Sequence, residues 1–161
     1  MFAKPSAEHG FFTPMIGQWT MENHCEGESG QTKVIATGRV SIRSLAGMWF
    51  IIETSGDGNE HHPEPWSSQI TVGYDPQKKA YVGIFVGSMM THLWIYEGQR
   101  DESKPCVSLY VEGPRCEGTG MAQYRDSIEI VSDDHWILRS EIQNDDGSWK
   151  QFMIGHHHRV K

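Results

Sequence analysis

The sequence predicts an all-β fold: a single antiparallel up-and-down β-barrel of about ten strands, calycin- or lipocalin-like in type, with a short N-terminal helix. Three observations lead there. Segments of alternating apolar and polar residues follow one another from Gly17 to the end of the chain. Turn signals separate them, at Asp75-Pro76, Asp101 to Pro105, Gly113-Pro114, Asp133-Asp134 and Asn144 to Gly147. No helical pattern is long enough to cross between parallel strands, so sequential strands pair as hairpins, and closure removes the exposed edges of so large a sheet. A sandwich needs the same alternation and is the competing architecture; hairpin order favours the barrel.

Residues 6–15, SAEHGFFTPM, read as one short helix, with Ser6 as N-cap, Glu8 in the first turn and Pro14 limiting its length. After Gly17, Trp19, Met21 and Cys25 alternate with Thr20, Glu22, His24 and Glu26, the pattern of a half-buried strand. Further strands fall at 32–45, 47–55, 68–74, 80–86, 91–98, 106–112, 121–131, 135–143 and 149–160. The longest irregular stretch, GDGNEHHPEPW at 56–66, is expected over one barrel mouth. Nothing marks a repeat or a domain boundary, so residues 1–161 form one domain.

Composition narrows the function. The 161 residues carry 14 Lys and Arg against 21 Asp and Glu, a formal charge of -7, and lack the clustered basic excess that phosphate neutralisation requires. No apolar run approaches the roughly 20 residues of a membrane span, and the start lacks a secretory signal, so the expectation is a cytoplasmic protein with no nucleic-acid or membrane partner. Cys25, Cys106 and Cys116 have no zinc-type spacing and read as reduced thiols, a Cys106–Cys116 bridge being the alternative.

The stretch GSMMTHLWIYEG, 87–98, reads as one strand, with Ser88, Met90, His92, Trp94 and Tyr96 on one face and Met89, Thr91, Leu93 and Ile95 on the other. The first face mixes aromatic rings with hydrogen-bonding tips, as small-molecule cavities do; ordinary barrel filling is the plainer account. Trp19, Trp49, Tyr124 with Arg125, Arg139, Trp149 and Met153 offer material for the same cavity. Arg125 or Arg139 would need an acid such as Glu53, Asp126 or Glu141, or an anionic ligand.

His156 and His158 share a strand face, with His157 opposite, and are weak candidates for a metal that still wants a third ligand. Glu60, His61, His62 and Glu64 would at most chelate weakly from a solvated loop. GxSxG, P-loop and HExxH patterns are absent, and the paired carboxylates sit in turns, so no catalytic residue is assigned and an enzyme is the less favoured class.

Gly17-Gln18-Trp19 behind a short helix is similar to the Gly-x-Trp opening of lipocalins and related calycin barrels. The series IGQW, RSLAGMWF, GYDPQKKAYVG, GSMMTHLWIYEG, EGP, YRDSIE, DDGSW and FM closely resembles the bacterial family called domain of unknown function 1579, over nearly the whole chain. The resemblance implies a calycin-like barrel and carries no catalytic residue. The run His156-His157-His158 departs from the aromatic and basic ending expected of that family.

Three functions follow as expectations. The first is a binder of a small, largely apolar or amphipathic molecule, held by Met90, His92, Trp94, Tyr124 and Met153 with Trp19 and Trp49, and with Arg125 anchoring an anionic group. The second is a haem protein or other enzyme like the calycin-like nitrobindins, with His92 or a C-terminal histidine as axial ligand. The third is a filled, structural barrel that dimerises through an outer aromatic surface.

Overall fold

A computed structural model describes residues 1–27 and 29–161. Ten antiparallel strands close into one barrel in chain order, with the first pairing the last. They are β1 (Gly17–Glu26), β2 (Thr32–Leu45), β3 (Trp49–Gly56), β4 (Trp66–Asp75), β5 (Ala80–Gly87), β6 (Trp94–Asp101), β7 (Cys106–Pro114), β8 (Met121–Ser132), β9 (His135–Gln143) and β10 (Trp149–Arg159). Closure follows from pairing Trp19 of β1 with Arg159 of β10, which leaves no sheet edge open.

The N-terminal helix is a 3-10 helix over Glu8–Met15. Ser6 does not cap it: Ala7 occupies the N-cap position without a side-chain bond, while the Ser6 hydroxyl donates to Glu8 at 2.6 Å and its backbone N–H to His9 Nδ1 at 2.9 Å. Pro14 lies inside it, one residue from its end, and supplies no amide for a further helical bond.

The helix closes one end of the barrel. Phe12 packs on Phe50 and Tyr81 with ring centroids 5.5 and 5.7 Å apart, and Phe12 and Met15 are each 1% exposed. Burying such side chains fully is worth roughly 1.5–3 kcal/mol each. Polar ties fix the plug: the Trp19 indole donates to the Met15 carbonyl at 2.8 Å, and the Tyr81 hydroxyl to the Glu8 carbonyl at 2.9 Å. Arg159 donates to the carbonyls of Ile16 and Pro14 at 3.0 and 2.7 Å and lays its guanidinium over the Trp19 ring at 4.2 Å.

Three irregularities alter the register, the one in β8 falling between Ile130 and Ser132 near its end. In β1 strict alternation buries Trp19, Met21 and Asn23, and the register then shifts between Asn23 and His24, beyond which His24 and Cys25 are both half-buried. In β10 it shifts between Gln151 and Met153. All three cysteines are free. No helix among the described residues is long and apolar enough to cross a membrane.

The segment 87–98 is not one strand. β5 ends at Gly87, residues 88 and 89 form a turn, and β6 starts only at Trp94. The loop 57–65 is tied to β2, the Asp57 amide donating to the Thr37 carbonyl at 2.9 Å and Asn59 Nδ2 to that of Ile35 at 3.1 Å, and none of its residues lines the central cavity of the barrel.

Candidate functional site: a barrel cavity with one lone carboxyl

The interior beyond the helix plug is hollow. A cavity of about 330 Å³ is walled by inward residues of the strands and by the β5–β6 turn. Its wall includes Trp66, Phe85, Trp94, Tyr124, Trp136 and Phe152, and four methionines, Met21, Met89, Met90 and Met153, add polarizable, adaptable surface. Met89, Met90 and Phe152 are also exposed to bulk solvent, which places them at its mouth.

Tryptophans enter the wall where glycines make room. Trp66 is the register partner of Gly56 and lies directly against it, and Trp94 lies against Gly113 in the same way; a Cβ on either glycine would overlap the indole. The Trp94 indole N–H is directed at the Met90 sulfur, 2.8 Å away. Its ring meets Tyr124 edge-on at 5.1 Å, and Tyr124 meets Phe152 at 6.1 Å. The Tyr124 hydroxyl donates to the Pro114 carbonyl at 2.8 Å, so the mouth is framed by interlocked rings.

Polar groups are few. Asp126 projects inward from β8 and accepts a hydrogen bond from the Tyr96 hydroxyl. Ser140 stands directly across from it on β9. Asp126 is half-buried by area because it faces the hollow, yet it sits deep in the protein, and burial pushes its carboxyl above the ordinary value against the opposing pull of Ser140 and Tyr96. Burial first, and then the Asp126 charge, push the Tyr96 hydroxyl well above its usual range, so it stays a donor.

His157 also faces inward from β10, only 2% exposed, and stacks flat on Trp136 with centroids 3.5 Å apart and planes 4° from parallel. Its Nδ1 and the Trp136 Nε1 are buried without a hydrogen-bond partner, a cost of about 1–3 kcal/mol each. Burial lowers the His157 pKa from 6.5 to about 3, so the ring is neutral at physiological pH.

The residues singled out from the sequence divide. Met90, Trp94, Tyr124 and Met153 line the cavity. Trp19 does not: it is buried at the plugged end, edge-on to Trp136 at 6.3 Å. Trp49 is 40% exposed on the outside, covering Gly73. His92 lies outside the lining set, edge-on to Trp94 at 5.0 Å with Nε2 3.4 Å from the Glu112 carbonyl, because the turn before β6 breaks the alternation that would have turned it inward. Arg125 points outward, pairs with Glu141 at 2.6 Å and lies over Trp149 at 4.6 Å; Arg139 pairs outside with Glu129. Neither can reach an anion inside.

His156 and His158 lie on the outer face, joined by His135: His135 Nε2 is 3.0 Å from His156 Nδ1, and the His135 and His158 rings stack at 4.5 Å. Among the described residues, no three potential ligands converge on a metal position. The sequence reading passed over Asp126, Asn23, Trp66, Trp136 and His157 as cavity residues. For Asp126 the signal was present: it alternates with Tyr124 and Ile128 in β8, and a carboxyl on the apolar face of a strand breaks the binary pattern.

The model of a family of proteins of unknown function, DUF1579, matches residues 4–159. The chain belongs to this family. No curated protein is significantly similar to it in sequence. Among solved structures, this DUF1579 barrel is similar to Rv2717c from M. tuberculosis, with a TM-score of 0.58 at 8% identity, covering 98% of this chain and 100% of that one. The S-type phycobiliprotein lyase CPES from Guillardia theta gives 0.57 at 15% identity, with 98% and 99% covered. EF1p2_mFAP2b, solved bound to DFHBI, gives 0.50 at 12%, with 96% and 100% covered. At such identities the likeness is one of fold.

Proposed function

We propose that this DUF1579 barrel binds one small, largely apolar molecule in its central cavity. The observation that carries the reading is the cavity itself, about 330 Å³, walled by aromatic and methionine side chains with a few inward polar groups. That volume lies at the low end of small-molecule sites, and a hollow left in a barrel core forfeits dispersion contacts unless something fills it. The EF1p2_mFAP2b structure, a barrel of similar fold with DFHBI bound, supports the compatibility of this architecture with a small ligand. Free thiols on all three cysteines fit a reducing, cytoplasmic setting.

A haem reading has less support. His92 is outside the cavity lining, and the histidine that does line it, His157, is 2% exposed and stacked flat against Trp136. A filled, purely structural barrel is disfavoured by the hollow itself.

The test is a titration with the neutral dye N-phenyl-1-naphthylamine. Saturable binding of one dye per chain, quenching tryptophan emission and lost when Leu138→Trp fills the cavity, is expected; dye that binds the filled variant as well as the wild type overturns the reading.

A further inference from the structure

The cavity wall has a charge asymmetry. Among the described residues that line it there is one carboxyl, Asp126, and no Lys or Arg. The one histidine among those lining residues, His157, is neutral at physiological pH and supplies no positive charge. The neighbouring arginines are engaged elsewhere: Arg125 pairs with Glu141 at 2.6 Å, Arg115 lies 3.9 Å from Asp145, and Arg139 pairs with Glu129. Asp126 therefore has hydroxyl company, from Tyr96 and Ser140, but no cation.

A carboxylate inside an apolar hollow is costly unless a positive charge meets it, and an anionic ligand would meet repulsion with nothing to offset it. The same cavity is lined by Trp66, Trp94, Trp136 and Tyr124, and aromatic rings attract ammonium groups through their quadrupoles.

Resting on the cavity as the binding site, we propose that its natural ligand is a cationic amphiphile: an apolar body carrying one protonated amine, which ion-pairs with Asp126 inside the aromatic wall. Fatty-acid-like carboxylates, the opposite class, are the ligands this carboxyl selects against. Asp126 is a selectivity determinant, and the apolar wall supplies the affinity common to all ligands of the right size.

Three probes with one skeleton separate the two levels: 4-phenylbutylamine, 4-phenylbutan-1-ol and 4-phenylbutyrate, titrated by calorimetry against the full chain. The amine is expected to bind about tenfold or more tightly than the alcohol, the order of one charge-assisted hydrogen bond, and the carboxylate more weakly than either. In Asp126→Asn the advantage of the amine over the alcohol disappears. If the alcohol binds and the amine has no advantage, or if the advantage survives Asp126→Asn, the cation assignment is overturned and the cavity reading stands. If none of the three binds wild-type protein, both fall. Should Asp126→Asn fail to fold, the wild-type order of the three probes decides by itself.

Discussion

His157 shows at the scale of one residue how burial sets chemistry. Its pKa is held at about 3 against 6.5 unfolded, chiefly because the ring is out of water. A base whose folded pKa is depressed contributes stability that is complete above the unfolded value and is lost as pH falls toward the folded one. Unfolding free energies measured at pH 6.5 and pH 5 should therefore differ by about 1.5 kcal/mol more in wild type than in His157→Phe; equal pH dependence in the two proteins would refute the assignment. His135 and His156 shift in the same direction, through burial first and then neighbouring histidines (His158 and His156 for the one, His24 and His158 for the other), but on a solvated face where screening reduces the effect. Trp94 and His92, two apart in sequence, separate cleanly in role. Trp94→Ala should weaken N-phenyl-1-naphthylamine binding about tenfold through lost apolar contact, while His92→Ala and Arg125→Ala leave it within about twofold, since neither lines the cavity.

Elements succeed or fail as predictors according to whether their alternation is unbroken. β8 keeps its period across Tyr124, Asp126 and Ile128, and Arg125 between them points out, as any strict period of two requires. β10 slips at Gln151–Met153, so Phe152 and Met153 both reach the cavity although neighbours in a regular strand would face apart. At the junction of β5 and β6 a turn replaces the expected continuous strand, and this brings Met89 and Met90 together at the mouth. Gly113 is the counterpart of Trp94 across β6 and β7. Adding a methyl in Gly113→Ala forces the indole away, with an expected loss of about 1–3 kcal/mol from overpacking and a shifted tryptophan emission maximum. A variant as stable as wild type, with unchanged emission, would show that the close approach of indole and glycine is not a constraint.

For the whole molecule, ten strand segments, their turn signals and the absence of a crossover helix were legible in the chain because sheet alternation and turn chemistry are local properties. The sequence by itself determined the barrel class, the aromatic and methionine supply of its interior, and the acidic charge balance. Only the tertiary structure decided which tryptophans plug, which line and which cover the outside: Trp19 under the helix, Trp66 and Trp94 on the wall, Trp49 over Gly73. The same holds for charge, since Arg125 and Asp126 are adjacent in sequence and lie on opposite sides of the wall. The physical reason is that facing along a strand is set by a register of two residues, which a single bulge or a displaced turn reverses, whereas the volume left inside a closed barrel depends on all ten strands and the plug together.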